Sequence, residues 1–133
     1  MATAETGGAF SLFEDLLTKG KTTPLHQHAE TDEVLYLVDG ELLLSVNGEE
    51  HRLTTGGVAV IPRGTPHALL VTSDTARLLC LGTSSSTEAF FRAASDAVGS
   101  DDAAGPVDFG RVRAAAIETG GMDMLGPPPF AKP

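Results

Sequence analysis

Short aliphatic segments alternate with turn residues from residue 9 to about residue 82, and this alternation limits the fold more than any other feature. Asn47-Gly48 indicates a two-residue hairpin, because both central positions of a type I′ turn favour positive φ. The segments with the length and aliphatic content of strands are 33–38, 41–46, 57–61, 67–72 and 76–81. Many short strands without intervening helices predict an all-β sandwich or barrel.

The sequence changes character after residue 82 and predicts two short helices. Ser85 and Glu88 have the spacing of a capping box, and the helix that begins there is expected to run to about Val98. Its apolar face would be formed by Phe90, Ala94 and Ala97. Residues 100–106 indicate a polar linker, which separates this helix from the second one.

Asp108 is placed to cap the second helix, which is predicted to continue through Glu118 and to end at Gly120-Gly121. The proline-rich tail at 122–130 is expected to be extended, because its prolines favour polyproline II. We therefore predict a barrel domain over residues 1–84 and a helical C-terminal extension, packed on the barrel, over residues 85–133.

Composition argues against several classes of partner. The net charge of −9 disfavours nucleic acid and anionic membrane surfaces. No apolar run reaches the roughly 20 residues that a membrane-spanning helix needs, and the first ten residues do not have the pattern of a signal peptide. Cys80 is the single cysteine, and its neighbours Leu79 and Leu81 predict a buried thiol in a strand. These features predict a cytoplasmic protein.

Three of the four histidines fall into a spaced pattern with one glutamate: His26, His28, Glu33 and His67. Residues two apart on a strand point to the same face, so His26 and His28 could offer two nitrogens to one ion. Imidazole and carboxylate ligands suit a divalent transition metal, namely Fe, Ni, Mn, Co, Cu or Zn. In an octahedral site they would leave two positions open for reacting ligands.

The remaining polar residues near this pattern have plainer interpretations. His51 follows the predicted hairpin and is expected on the surface. Glu30 and Asp32 are either solvated or hydrogen bonded to a ligand imidazole, and solvation is the preferred interpretation. Arg63 could reach an anionic substrate, but a solvated turn residue is the simpler expectation.

The segments from Gly20 to Gly40 and from Gly56 through Pro62 and Gly64 to His67 resemble the two motifs of the cupin family. Val71 departs from the pattern at a position where the family often has Asn. The resemblance implies a single jelly-roll β-barrel followed by two short C-terminal helices and a Pro-rich tail. It also implies His26, His28, Glu33 and His67 as metal ligands, and it leaves the reaction open.

A looser resemblance, to quercetin-2,3-dioxygenase-like bacterial proteins, rests on the layout of barrel, helices and the tail at 125–129. It implies a metal-dependent dioxygenase that acts on a small enolisable or phenolic substrate with O2, with Glu33 as the catalytic general base. Two alternatives stay open. The first is redox-neutral isomerase, cyclase or lyase chemistry at the same metal, and the second is a cupin that binds a small ligand without turnover.

Strand alternation predicts which side chains line a substrate pocket. If Glu33 and His67 point inward, Leu35 and Leu37 follow on one strand, and Leu69 and Val71 on the other. The late aromatic residues would form either a lid over the barrel mouth, or a cover on an outer sheet face or a dimer contact, and the cover or contact is the preferred interpretation. These residues are Phe90, Phe91, Phe109 and Phe130. A homodimer is expected, since association would cover exposed strand edges.

Overall fold

The computed structural model describes residues 1–95 and 108–130. A short 3-10 helix (Thr3–Thr6) precedes the first strand. The strands are β1 (Ser11–Thr18), β2 (Leu25–Gln27), β3 (Glu33–Asp39), β4 (Glu41–Val46), β5 (Glu49–Thr54), β6 (Val58–Ile61), β7 (His67–Val71), β8 (Thr75–Gly82) and β9 (Asp123–Gly126). The helices are α1 (Ser85–Ala94) and α2 (Phe109–Thr119).

Two antiparallel sheets form a jelly-roll β-barrel, which confirms the predicted fold. The first sheet has the strand order β1-β8-β3-β6, and the second has the order β5-β4-β7-β2-β9. At the predicted hairpin, Asn47 and Gly48 have φ of 51° and 81°, and they connect the paired strands β4 and β5. The five strands expected from sequence correspond to β3, β4, β6, β7 and β8, each within two residues at either end.

The core lies between the two sheets and follows the alternation expected for half-buried strands. On β3, Glu33, Leu35 and Leu37 are buried, whereas Tyr36 is 40% exposed. The buried members of the core cluster are Leu35, Leu37, Leu42, Leu44, Ile61, Val71, Ala76, Leu78 and Cys80. The buried Cys80 thiol on β8 confirms the sequence prediction, and its burial raises the pKa of the thiol.

A second buried cluster joins the two helices to the segment that follows them. Phe90 of α1 packs with Ala115 and Ala116 of α2 and with Met122. Asp108 caps α2 as predicted, because its side chain accepts a hydrogen bond from the Arg111 backbone N–H over 3.1 Å. None of the described helices is long and apolar enough to cross a membrane.

One local prediction was wrong, since Ser85 and Glu88 do not form a capping box. Ser85 is the first residue of α1, and the Glu88 carboxylate accepts hydrogen bonds from the backbone and hydroxyl of Thr3. The tail is extended as predicted over Asp123–Gly126, which pairs with β2 as a strand before the prolines at 127–129. The predicted helix end at Ala97 and Val98 and the linker at 100–106 lie outside the described residues.

Candidate metal centre

The strands bring the four predicted ligands together between the two sheets. His26 lies on β2 and pairs across the ladder with His67, the first residue of β7. His28 follows directly after β2, and Glu33 begins β3 on the opposite sheet. All four are buried, with exposed fractions between 3% and 6%. One ring nitrogen from each of the three histidines lies within 4.8 Å of the others.

Glu33 closes the group from the other sheet. Its Oε2 atom lies 3.2 Å from Nε2 of His28 and 3.2 Å from Nε2 of His67. The carboxylate therefore faces the same space as the two imidazoles, as the spacing of the motif predicted.

Backbone carbonyls fix the orientation of all three rings. The Nδ1 atom of His26 lies 2.7 Å from the carbonyl oxygen of Pro24, and that of His67 lies 2.9 Å from the carbonyl oxygen of Thr65. The Nδ1 atom of His28 lies 2.6 Å from the carbonyl oxygen of Gly121. A carbonyl oxygen only accepts, so each Nδ1 carries a proton and each Nε2 is left free for another partner.

The donor atoms fit a metal ion. The Nε2 atom of His28 and Oε2 of Glu33 are fully buried and have no hydrogen-bond partner among the described residues, although only 3.2 Å separates them. Two lone pairs that face each other at this distance repel unless a proton or a cation lies between them. Three imidazole nitrogens and a carboxylate, each held by the barrel, are a donor set that borderline divalent metals accept.

Burial and neighbouring charge set the protonation of the site. Burial and the nearby His67 lower the pKa of His26 to about 3, so this ring is neutral at physiological pH. Burial alone would raise the pKa of Glu33, but His28 and His67 outweigh it and hold the pKa below its usual range. Burial alone would lower the pKa of His28, but the Glu33 carboxylate reverses that effect and raises it. Glu33 is thus ionised, as both a metal ligand and a general base require.

A cavity of about 900 Å³ adjoins these donors. Its wall includes His26, Glu33 and His67, and two of the predicted pocket residues, Leu35 and Leu69. The other two, Leu37 and Val71, are not among the lining residues and pack in the core instead. Alternation gave the face correctly for both, but each lies four residues from the ligand on its strand, roughly 13 Å away at 3.3 Å per residue.

Aromatic side chains from α1 cover part of this cavity. The Phe91 ring lies 6.4 Å from the His28 ring and 4.7 Å from the Phe13 ring, measured between centroids. Phe90 and Phe91 both line the cavity, whereas Phe109 is 39% exposed. For α1, these contacts favour the lid interpretation over the cover on an outer face.

The remaining predicted polar residues lie outside the donor group. Asp32 and Arg63 form an ion pair with a separation of 3.0 Å, and Glu30 and His51 are exposed. Sequence reasoning missed the carbonyl of Gly121, since a backbone group 93 residues from His28 leaves no pattern in the sequence. It also missed Asp15, an acidic residue on the cavity wall, although the strand pattern of β1 could have identified it.

Comparisons with known proteins agree with the fold. A stretch of 71 residues is 42% identical to quercetin 2,3-dioxygenase from Bacillus subtilis (strain 168) and covers 51% of this chain and 21% of that protein. The chain spans less than half the length of three curated relatives that it matches, between 21% and 47%.

Solved structures give the same fold. A cupin-superfamily sugar phosphate isomerase from Silicibacter pomeroyi has 28% identity and a TM-score of 0.54, over 62% of this chain and 57% of that one. KdgF from Halomonas sp. has 24% identity and a TM-score of 0.55, over 56% of this chain and 68% of that one, and supports the fold alone. The family model described as Cupin domain matches residues 13–82, just over half of the sequence. The chain therefore belongs to the cupin family.

Proposed function

We propose that this cupin is a metal-dependent dioxygenase of the quercetinase type, which acts on a small enolisable or phenolic substrate. The observation that carries the proposal is the convergence of three imidazole nitrogens and the Glu33 carboxylate on the wall of a cavity that also has leucine and phenylalanine side chains. The 42% identity to a quercetin 2,3-dioxygenase over half of the chain supports the reaction class.

In this proposal His26, His28, Glu33 and His67 hold one divalent ion, drawn from Fe, Ni, Mn, Co, Cu and Zn. When bound, the ion would supply a Lewis acid and a template that brings a substrate oxygen and O2 together. Glu33 takes the proton of the substrate hydroxyl, because its carboxylate is ionised and faces the cavity. Leu35, Leu69 and Phe91 exclude water from the reacting atoms.

The direct test combines metal analysis with oxygen uptake. Protein without a tag is reconstituted anaerobically with each candidate ion, its metal content is determined, and O2 consumption is followed with flavonols as substrates. A dioxygenase takes up one O2 per substrate molecule. Turnover that needs the metal and is absent from His67→Ala supports the proposal. Metal binding without oxygen uptake for any flavonol or other enolisable substrate contradicts it.

A second candidate is redox-neutral chemistry at the same metal, as in an isomerase, cyclase or lyase. The structural similarity to a sugar phosphate isomerase with 28% identity favours this alternative. An anaerobic assay distinguishes the two proposed activities, because redox-neutral turnover continues without O2 and proceeds with zinc. A cupin that only binds its ligand would show saturable binding and no product under either condition.

We also propose that the protein forms a homodimer through the outer face of the first sheet. On that face Tyr36 is 40% exposed, and Val58 and Val60 are 56% and 64% exposed. Contiguous exposed apolar side chains of this kind are typical of association surfaces. Light scattering should give the mass of a dimer for the wild type and that of a monomer for Val60→Lys. The cytoplasmic location stays a prediction from sequence.

A further inference from the structure

Strand β1 presents a half-buried carboxylate on the inner face of its sheet. Asp15 lies between the exposed residues Glu14 and Leu16, and the set that alternates with these two is Ser11, Phe13, Asp15 and Leu17. Asp15 pairs across the ladder with Leu78, which is 1% exposed and belongs to the core. The side chain of Asp15 therefore lies on the face of the sheet that carries Glu33, and not on the outer face.

Asp15 and the metal donors line one continuous cavity. The lining residues include His26, Glu33 and His67 at the metal site, and Asp15 and Lys21 elsewhere on the wall. In the ladder, Asp15 is level with Leu37, four residues along β3 from Glu33. The two carboxylates are thus roughly 13 Å apart along the strands and about 10 Å apart across them. Asp15 lies at the end of the cavity remote from the metal.

An acidic residue at this position needs a physical explanation. Burial raises the pKa of Asp15, although the charge of Lys21 acts in the opposite direction. Asp15 is half-buried, with Phe13 and Leu17 on the same face of the strand, so its carboxylate has lost part of its hydration. A hydroxyl group of a bound molecule would replace part of that hydration, since it can donate a hydrogen bond to the carboxylate.

We propose that Asp15 is a specificity-determining residue, which binds a hydroxyl group at the end of the substrate remote from the metal. This inference rests on the proposed function, and it narrows the substrate to an elongated and largely apolar molecule with polar groups at both ends. One oxygen meets the metal donors, and a second hydroxyl meets Asp15. A molecule of two or three linked aromatic rings is long enough to span the distance between Asp15 and the metal donors.

The test compares two flavonols that differ in their distal hydroxyl groups. 3-Hydroxyflavone carries only the hydroxyl next to the ring carbonyl, whereas 3,7-dihydroxyflavone has one further hydroxyl, at the far end of the fused ring system. Both are titrated into anaerobic, metal-loaded protein, and binding is followed by ligand fluorescence. The variants are Asp15→Leu, which keeps the approximate shape, and Asp15→Asn, which keeps part of the hydrogen-bonding capacity. The control is Glu50→Gln, because Glu50 is exposed on β5 and is not among the residues that line the cavity.

Asp15→Leu is expected to lower the affinity for 3,7-dihydroxyflavone about tenfold, the effect of one lost hydrogen bond to a charged or polar partner. Its affinity for 3-hydroxyflavone should be unchanged or higher, and Asp15→Asn should lie between it and the wild type. Equal changes for both ligands, or no change for either, would overturn the role of Asp15 and leave the proposed function intact. A wild-type protein that binds neither flavonol would overturn both.

Discussion

The three histidines of the candidate metal centre are supported in two different ways. His26 and His67 each place Nδ1 against the carbonyl of the residue two positions earlier, so a short piece of strand orients its own ring. His28 places Nδ1 against the carbonyl of Gly121, 93 residues away and outside the stretch that matches the Cupin domain model. Two ligands are thus oriented by the barrel itself, and the third by the segment that follows α2.

This difference assigns a role to the C-terminal segment. Strand β9 pairs with β2, which carries His26, and Met122 anchors the same segment in the helical cluster. Supporting groups of this kind hold a ligand ring at the angle and tautomer that the metal needs. The C-terminal segment therefore contributes to the metal centre as well as covering the barrel.

The largest effect is expected from removing a ligand that the barrel orients locally. His67→Ala should reduce the metal content from ~1 ion per chain to below about 0.1, because one of the converging donors is lost. The barrel should stay folded, since the core cluster does not include His67. Metal analysis and circular dichroism check both statements. The matched control is His51→Ala on the exposed hairpin, and full metal content in His67→Ala would show that the ion binds elsewhere.

A smaller effect is expected from loosening the distant support of His28. Met122 is 6% exposed and directly follows Gly121, so Met122→Ala should shift the carbonyl that orients His28. We expect the metal affinity to fall about tenfold, in the range found for groups that hold a ligand in place. A competition titration with a chelating dye measures this change.

Leu125→Ala is the control for Met122→Ala, because Leu125 lies in the same segment and is 47% exposed. It should leave the metal affinity unchanged. If Met122→Ala lowers the melting temperature but binds metal as the wild type does, His28 does not depend on the Gly121 carbonyl. The contrast between the distant support of His28 and the local support of His26 and His67 would then have no effect on metal affinity.

The contrast between local and distant contacts also explains which features could be predicted from the sequence. The strands, the hairpin at Asn47-Gly48 and the inward positions of Glu33 and Leu35 follow from local patterns, and the structure has them where expected. The Gly121 carbonyl and the pairing of β9 with β2 are contacts between distant segments through backbone atoms. Backbone carbonyl groups have the same chemistry in every residue, so contacts that they make between distant segments leave no pattern in the sequence.

Local sequence patterns also could not predict which inward-facing side chains reach the cavity. Alternation places Leu35 and Leu37 on one face, but only the cavity shows that Leu35 reaches it and Leu37 does not. Asp15 is a related case, since its inward position follows from the pattern of β1 once the strand is known. The residues that surround Asp15, however, depend on how the two sheets pack, and the sequence pattern of one strand does not show this.

A third effect concerns the loop that joins His28 to Glu33. The hydroxyls of Thr31 on this loop and Thr87 on α1 are buried and lie 2.6 Å apart. Thr87→Val leaves the Thr31 hydroxyl buried without this partner, which should cost about 1–3 kcal/mol in the free energy of unfolding. Replacing both threonines by valine should recover most of the loss, as chemical denaturation would show. A double variant no better than Thr87→Val would mean that packing, and not the hydrogen bond, is responsible.

The smallest effect distinguishes the protonation of His26 from that of His28 without any substitution. In metal-free protein the pKa of His26 is lowered to about 3, chiefly by burial, so its ring should stay neutral from pH 8 to pH 5. The pKa of His28 is raised because Glu33 outweighs burial, so this ring should gain its proton at a higher pH than an ordinary histidine does. Nitrogen-15 chemical shifts of the rings, recorded by nuclear magnetic resonance over this range, report each protonation directly.

These shifts act on folding in opposite directions. The raised pKa of His28 contributes stability that is present below pH 6.5 and is lost as the pH rises through the folded-state pKa. The lowered pKa of His26 removes stability as the pH falls from 6.5 toward 3, because the unfolded chain takes up a proton that the folded chain does not. The two contributions oppose each other near pH 6. A His26 ring that titrates near pH 6.5 would show that burial and the neighbouring His67 do not keep it neutral, and the contrast with His28 would disappear.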